Sequence, residues 1–280
     1  MGNKPLTITA VILVIAFLLL IFLIGILIPG RFRPPSETVA IVEVSGIIRD
    51  AREVVREIKN FSKEPNVKAI IIRIESPGGL VAPTQEIFEE IKEAKRKGKK
   101  VVASMGSIAT SGGFYIALPC DKIVANPGTI TGSIGVIMNF PILEKLLQKL
   151  GISFETIKSE EYKDIGSPFR MMKKEERELL KEVVDDVYQD FLEKIAEERK
   201  ISLKDIKKFA DGRIFSGRQA KEIGLVDTLG GLETAIKIAS ALAQIKKEPK
   251  ILKEKRFFPF RLILNYLNRL SLPELLYLPQ

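Results

Sequence analysis

The chain has 280 residues, of which 46% are hydrophobic, so it is long enough for one large domain with a sizeable core and for smaller appendages. It contains no histidine and one cysteine, Cys120, which excludes imidazole-dependent catalysis, histidine-ligated zinc and an internal disulfide framework. The net charge of +9 is spread over helices that mix lysine with glutamate, without a basic patch of interleaved aromatic residues, so no nucleic-acid partner is expected.

The first predicted element is a membrane segment at Leu6–Ile28, which is uncharged, almost wholly apolar and long enough to cross a bilayer. No cleavage site of small residues follows it, so residues 1–30 are expected to form an uncleaved signal anchor with one transmembrane helix. The flanking charges, Lys4 on one side and two arginines on the other, leave the orientation of this helix open. Residues 31–37, with two prolines and two arginines, are predicted to be a linker.

From residue 38 to residue 245, strand-like and helix-like segments alternate, which predicts an α/β domain with a largely parallel sheet. The predicted strands are apolar, β-branched runs at Thr38–Val44, Ala69–Glu75, Lys100–Ser104, Lys122–Ala125 and Phe154–Ile157. The predicted helices have apolar residues at helical spacing and occupy Ala51–Phe61, Pro83–Lys97, Phe114–Leu118, Lys173–Arg199 and Leu232–Gln244. Two glycine-bearing loops, Ser76–Gly79 and Met105–Gly113, follow strands, which is where parallel sheets place their sites.

The C-terminal tail, residues 246–280, is apolar from Phe257 to Pro279 but is interrupted by prolines and arginines, which disfavours a transmembrane helix. An oligomer contact, a membrane-surface segment and a plain packing segment all remain open for it.

The serine and glycine residues of the two loops are the first candidates for chemistry. Ser111, followed by two glycines and an apolar run, is either a helix cap or a nucleophile with the Gly112 N–H facing a developing oxyanion. The segment Ser76–Gly79 is either a plain turn or the source of a second oxyanion donor, the Gly79 N–H. Loss of one such donor typically costs about 3–4 kcal/mol of transition-state stabilisation. A strand edge beside this turn would bind an extended peptide.

The general base has to be something other than histidine, and Lys163 is the candidate. It lies in a loop with turn residues and is either an ordinary surface lysine or the base. A lysine acts as a base near neutral pH only if its pKa falls from about 10.4 to about 7, which takes about 4.6 kcal/mol that burial could supply. Ser133, in a glycine-rich segment, is either part of a structural turn or the hydroxyl that orients the neutral amine. The adjacent Asp164 would keep the lysine charged unless it points away.

Together these segments resemble the signal peptide peptidase A family of membrane-bound Ser/Lys peptidases, in its short, single-repeat form, over residues 38–240. The matching segments, in order, are Ser76–Gly79, Ser104–Ser107, Ser111–Tyr115, Asp121–Gly135, Tyr162–Pro168 and Asp211–Ala220. The resemblance implies that Ser111 is the nucleophile, Lys163 the general base, Ser133 the lysine-orienting serine, and Gly79 and Gly112 the oxyanion donors, with no metal and no cofactor.

The resemblance also implies a Clp-protease/crotonase-like fold of repeated β-β-α units with a largely parallel sheet, preceded by one transmembrane helix. Residues 38–245 would be the Ser/Lys peptidase domain, and residues 246–280 a tail. The expected enzyme is a membrane-anchored serine endopeptidase that cuts remnant signal peptides after their release by signal peptidase. Its catalytic domain would lie on the extracytoplasmic side, in a ring-shaped homo-oligomer in which the lysine can reach a neighbouring subunit's serine.

Three alternatives differ in substrate or in chemistry. A stomatin-partnered membrane peptidase of a related family is disfavoured by the spacing and by the segment Asp211–Ala220. A crotonase-type acyl-CoA lyase would use only the oxyanion hole, would need a carboxylate base and would have no reason for a membrane anchor. A catalytically inactive membrane scaffold is disfavoured by the intact serine and lysine.

Overall fold

The computed structural model describes residues 13–20, 37–254 and 275–277. Residues 13–20 form a helix, α1, whose side chains are exposed. The remainder of the predicted membrane segment, and the predicted linker up to residue 36, lie outside the described residues. Within the described ranges, no helix combines the length and the apolar character that crossing a membrane requires.

Strands and helices alternate along the chain, which confirms the α/β class. The strands are β1 (Thr38–Ser45), β2 (Val67–Ser76), β3 (Gly79–Leu80), β4 (Lys100–Thr110), β5 (Lys122–Ala125), β6 (Ile130–Gly132), β7 (Ile137–Met138), β8 (Ile214–Ser216), β9 (Thr228–Leu229), β10 (Lys250–Lys253) and β11 (Leu275–Tyr277). The helices that follow α1 are α2 (Arg52–Lys63), α3 (Val81–Arg96), α4 (Gly112–Tyr115), α5 (Glu144–Lys149), α6 (Lys174–Arg199), α7 (Leu203–Ile206), α8 (Gly217–Glu222) and α9 (Leu232–Leu242).

The main sheet is largely parallel, as the sequence predicts. Its strand order is β10-β1-β2-β4-β5-β9, and each neighbouring pair on this path is parallel. The strand β6 adds to the far end of β4 in parallel and pairs with β8 in antiparallel. A second, three-stranded sheet has the order β3-β11-β7, with both pairs antiparallel. The outer strand β10 lies beyond residue 245, so the main sheet includes part of the segment assigned to the tail.

Both faces of the central strands are buried, which explains why their sequences are continuous apolar runs rather than alternating ones. On one face, Ile70 and Ile72 of β2 pack in a large cluster with Ile58 of α2, Ile87 of α3 and Phe191 of α6. On the other face, alternate residues of the same strands pack against α9 in a smaller cluster, which contains Val39, Ile41, Ala69, Ile71, Val102, Val124, Ala235 and Ala239. Parallel strands need such helical crossovers, since a short turn cannot connect them.

The strand β4 changes partners along its length, and a bulge makes this possible. Its first half pairs with β5 up to Met105, and its last three residues pair with β6. Between Ile74 and Ser76 of β2, the register with β4 jumps from Met105 to Ala109, so β4 contains extra residues at this point. At the bulge, the Ser107 and Ile108 N–H groups donate to the Glu75 carboxylate, which takes the place of a strand partner. The bulge redirects the end of β4 towards β6.

Three details differ from the sequence-based predictions. The predicted strand Phe154–Ile157 is wrong: this segment has no regular structure, and the Phe154 ring instead stacks on Phe169 with centroids 3.9 Å apart. The predicted loop Met105–Gly113 is strand as far as Thr110, because the Glu75 carboxylate replaces the missing strand partners at the bulge. The short helix predicted from Phe114 begins earlier, at Gly112.

Candidate active site

The two glycine-bearing segments meet at the carboxyl edge of the sheet, because β2 and β4 are parallel neighbours. The Thr110 hydroxyl at the end of β4 donates to the Pro77 carbonyl at 2.9 Å. A Cβ added to Gly113, in the first turn of α4, would lie 2.7 Å from the Ser76 carbonyl oxygen. The turn after β2 and the start of α4 are therefore in direct contact, and glycine is required at this close approach.

Ser111 joins β4 to α4 in a backbone conformation that side chains rarely adopt, with φ 52° and ψ −118°. Such a conformation costs about 1–3 kcal/mol, and the surrounding structure must enforce it. The Ser111 side chain is 0% exposed and makes no cap hydrogen bond, so the alternative in which it is only a helix cap is wrong. Within the part of the chain that the structure describes, its Oγ has no hydrogen-bond partner. The backbone therefore fixes the position of the hydroxyl, although the hydroxyl makes no hydrogen bond that would stabilise the described part of the fold.

Ser133 lies beside Ser111 because each follows the last residue of a neighbouring parallel strand. Thr110 and Gly132 are paired across β4 and β6, and the Ser111 N–H donates to the Gly132 carbonyl at 2.8 Å. Ser133 is buried, also has a positive φ, of 51°, and its N–H donates to the Arg213 carbonyl at 2.8 Å. Both serines that the sequence singles out are thus fixed by their backbones at one edge of the sheet.

Gly79 is held against the segment that follows β1. The Ile48 N–H donates to the Gly78 carbonyl at 2.9 Å, and the Leu80 N–H donates to the Ile48 carbonyl at 2.7 Å. A Cβ on Gly79 would lie 2.1 Å from the Ile48 carbonyl oxygen, so only glycine fits. Gly112 is the first residue of α4, where N–H groups have no partner inside the helix. The two proposed oxyanion donors therefore belong to the two segments that meet at this edge.

Lys163 lies in the turns that precede α6, and its side chain is exposed. Its backbone N–H donates to the Glu160 carbonyl at 3.2 Å. Among the described residues, no hydrogen bond joins its amine to the Ser111 hydroxyl, whose Oγ is unpartnered. Within one chain, the structure therefore brings together Ser111, Ser133 and the Gly79 turn, but does not join Lys163 to them.

The neighbouring carboxylate, Asp164, is paired with cations other than Lys163. Its oxygens accept from the Arg170 guanidinium at 2.8 and 2.9 Å and from Lys158 Nζ at 2.5 Å. Hydrogen bonds from Arg170, and then from Lys158, hold the pKa of Asp164 well below its usual range. The negative charge of Asp164 is therefore balanced by Arg170 and Lys158, so Asp164 is not available as the ion-pair partner of Lys163.

The groove beside the site already contains an extended segment of the chain. The strand β11 runs antiparallel to β3, with Leu276 opposite Leu80 and Tyr277 opposite Gly79. Its other edge pairs with β7, with Leu275 opposite Met138 and Leu276 opposite Ile137. The strand β7, one edge of this groove, is not among the predicted strands, although the apolar run Val136–Met138 after Gly135 is a weak strand signal.

A cavity of about 760 Å³ is lined in part by Ser133. Its walls come from residues 133–137, from α6 and from the Asp211–Ile214 segment, and they include the apolar Val136, Ile137 and Val184. Across the described ranges, no three carboxylate or thiol groups are placed to hold a metal ion.

Comparison with known proteins points to one class of protein, the peptidases. The sequence profile of Peptidase family S49 matches residues 93–246. A candidate protease of Synechocystis sp. is 47% identical over 206 residues, which are 73% of this chain and 74% of that protein. A candidate protease of Methanocaldococcus jannaschii is 40% identical over 73% of this chain and 65% of its own length. The chloroplastic serine protease SPPA of Arabidopsis thaliana is 38% identical over 72% of this chain, which spans only 30% of that relative.

Proposed function

The chain belongs to peptidase family S49 and is a serine peptidase of the SppA type, and from this premise we propose that Ser111 is its nucleophile and Lys163 its general base. Ser133 orients the neutral amine, and the N–H groups of Gly79 and Gly112 bind the oxyanion. The observation that carries the proposal is Ser111 itself: its hydroxyl is buried, has no partner among the residues that the structure describes, and is held in a strained conformation at a strand end. Strain of this kind concentrates at sites of catalysis.

The proposed reaction is acyl transfer to water. The Ser111 Oγ bonds to the peptide carbonyl carbon while its proton passes to the neutral Lys163 amine. The oxyanion accepts hydrogen bonds from Gly79 and Gly112, and the intermediate collapses as the leaving amine takes the proton from Lys163. Water then attacks the acyl-enzyme and gives a proton to Lys163, and that proton returns to the Ser111 oxygen when the ester bond breaks.

The substrate is proposed to bind as an extended strand. The β11 segment supports this, since a main chain lying between β3 and β7 can hydrogen-bond to both of its neighbours. Gly79, the proposed oxyanion donor, is one of the β3 residues that β11 pairs with. Main-chain pairing of this kind provides affinity, while side-chain pockets along the groove provide specificity.

The lysine is proposed to act on the serine of a neighbouring copy in a ring-shaped homo-oligomer. Two observations support this. Lys163 is exposed in the single chain, and a contact between copies would bury it, which favours the uncharged form of an amine. The chain from residue 142 to 157 exposes large apolar side chains that an interface would cover, namely those of Ile142, Leu146, Leu150, Ile152, Phe154 and Ile157.

Membrane anchoring and the choice of substrate are further parts of the proposal. The apolar segment Leu6–Ile28 would anchor the chain by a single helix and keep the Clp/crotonase-like catalytic domain on the extracytoplasmic side. Remnant signal peptides, which are apolar and held in or near the same membrane, are the proposed substrates. A stomatin-partnered peptidase would share the chemistry but require a second protein.

The first test is hydrolysis of a leucine-rich fluorogenic peptide by the full-length protein and by its Ser111→Ala and Lys163→Ala variants. Both variants should lose activity by orders of magnitude while keeping the parent's unfolding temperature and oligomer size. Ser45→Ala and Lys63→Ala, which truncate an exposed serine at the end of β1 and an exposed lysine at the end of α2, are matched controls that should stay active. Full activity of Lys163→Ala would show that another group is the base. A parent that neither cleaves peptides nor reacts with a fluorophosphonate would favour the inactive scaffold.

Mixing the two inactive variants tests the shared site. If Lys163 acts on a neighbouring copy, hybrid oligomers of Ser111→Ala and Lys163→Ala contain some sites with both groups, and activity returns. If each chain uses its own lysine, the mixture stays inactive even after subunit exchange has been shown with labelled chains.

A further inference from the structure

We infer that Arg170 is a positioning residue that fixes the loop bearing Lys163, an inference that rests on the role of Lys163 proposed above. Arg170 binds two carboxylates at once: Asp164, which adjoins Lys163 in the loop, and Glu176, in the first turn of α6. It therefore bridges the base-bearing loop and the helix that follows it.

The bridge to Asp164 is bidentate. Arg170 Nε donates to Asp164 Oδ2 at 2.8 Å, and Nη2 donates to Oδ1 at 2.9 Å. Lys158 adds a second cation to the same carboxylate and also donates to the Glu161 carbonyl at 2.7 Å. The backbone on both sides of Lys163 is thus held by charge-assisted hydrogen bonds, which are shorter and stronger than neutral ones.

The other end of the bridge is anchored in the interior. The Glu176 side chain is 0% exposed, and its carboxylate accepts from Arg170 Nη1 at 2.8 Å and from the Lys173 N–H at 2.8 Å. Further along the same helix, Phe191 and Ile195 are buried in the main core cluster. Arg170 therefore ties the position of the base to the core, although Lys163 itself is exposed.

The shape of the guanidinium explains why the residue is arginine. Its nitrogens contact Asp164, Glu176 and the Met171 carbonyl, the last at 3.2 Å from Nη1. A planar fork of five N–H donors can serve both carboxylates in fixed directions, whereas a lysine ammonium has three donors and no such geometry.

The test compares Arg170→Met and Arg170→Lys with Arg199→Met in the full-length protein. Arg199 is a matched control because it ends the same helix and pairs with Asp227 at 3.0 Å and with the Gly224 carbonyl at 2.8 Å. Displacement of a reacting group by about 1 Å can cost about 100-fold in rate. Arg170→Met should therefore lower kcat by about 10- to 100-fold with KM within about 2-fold. Arg170→Lys should recover part of the loss, and Arg199→Met should lower the unfolding temperature but leave kcat within about 2-fold.

A second variant guards against simple unfolding. Arg170→Met leaves Glu176 buried without its cation, so Arg170→Met/Glu176→Gln removes the unpaired charge and should restore the unfolding temperature without restoring kcat. Recovery of kcat together with the unfolding temperature would reduce Arg170 to a stabilising role and overturn the inference. Wild-type kcat in Arg170→Met would also overturn it. Lys163→Ala in the same assay separates the two proposals. If Lys163→Ala stays active, the assignment of Lys163 as the base fails. If Lys163→Ala is inactive, the Arg170 variants alone decide whether Arg170 positions the base.

Discussion

Replacing Glu75 by alanine should separate the geometry of the site from the stability of the fold. The Glu75 carboxylate accepts from the Ser107 N–H at 2.9 and 3.0 Å and from the Ile108 N–H at 3.1 Å. These bonds close the bulge at which β4 leaves β5 and turns to β6, three residues before Ser111. Because Glu75 also directly precedes the turn with Gly79, its loss disturbs the distance between the proposed nucleophile and the oxyanion donor.

The expected cost in stability is modest. Ser107 is exposed, so water can replace the carboxylate at its N–H, and this bond contributes at most about 1 kcal/mol. The Ile108 N–H is partly buried, and leaving it unpaired costs about 1–2 kcal/mol. A total of about 2 kcal/mol lowers the unfolding temperature of a domain of this size by about 4–8 °C. The effect on kcat should be larger, about 10- to 100-fold, since the reacting groups lose their alignment.

The control is Asp121→Ala, which removes a similar bond at the other end of the same strand. The Asp121 carboxylate accepts from the Val101 N–H at 2.8 Å and also pairs with Lys95. Calorimetry and peptide hydrolysis at 20 °C below each unfolding temperature should show comparable destabilisation, with kcat reduced only in Glu75→Ala. Equal kcat values for the two variants would refute the link between the bulge and the site.

Three further predictions follow from single contacts. Gly113→Ala places a Cβ 2.7 Å from the Ser76 carbonyl oxygen and should lower kcat about 10-fold. Gly128→Ala, whose Cβ meets open space, should leave kcat and KM unchanged, and equal kinetics in both variants would contradict the close approach. Deleting residues 274–280 removes β11 from the β3 and β7 edges, where it would compete with a peptide substrate. The KM for a peptide should therefore fall severalfold with kcat unchanged, and an unaltered KM would show that β11 does not compete. Hydrogen bonds from Arg170 lower the pKa of Glu176 from 4.5 to about 2, so the stability they contribute is complete above pH 4.5 and is lost as the pH falls towards 2. The difference in unfolding temperature between the parent and Arg170→Met should therefore shrink over this pH range, and a constant difference would exclude the carboxylate as its source.

Much of the fold was predictable because its central strands are buried on both faces. The runs at β1, β2 and β5 are apolar and β-branched, and α3 and α6 have helical spacing, so their positions agree with prediction to within about two residues. The segment Phe154–Ile157 has the same local character but pairs with no strand in the described part of the chain, and sheet propensity depends on such neighbours. The short strands β10 and β11 have no local signal and β7 has only a weak one, because their existence depends on edges supplied by distant parts of the chain.

The serine half of the site was more predictable than the lysine half for a similar reason. Ser111, Ser133 and Gly79 each follow a strand and sit beside glycines, so the order of strands and turns is enough to bring them to one edge. No such local rule applies to Lys163. Its loop is held by Arg170 and Lys158, whose importance depends on which carboxylates they reach in three dimensions.

The two halves of the proposed dyad therefore depend on different physics. Ser111 is held at the end of β4 through its backbone, whose N–H donates to the Gly132 carbonyl at 2.8 Å. The loop that bears Lys163 is held by the ion pairs of the adjacent Asp164 with Lys158 and Arg170, while the Lys163 side chain itself is exposed in the single chain. Burial favours the uncharged form of an amine, and the exposed apolar side chains from Ile142 to Ile157 offer a surface that association of copies would cover. A single chain should accordingly be folded but inactive, and association should create the base.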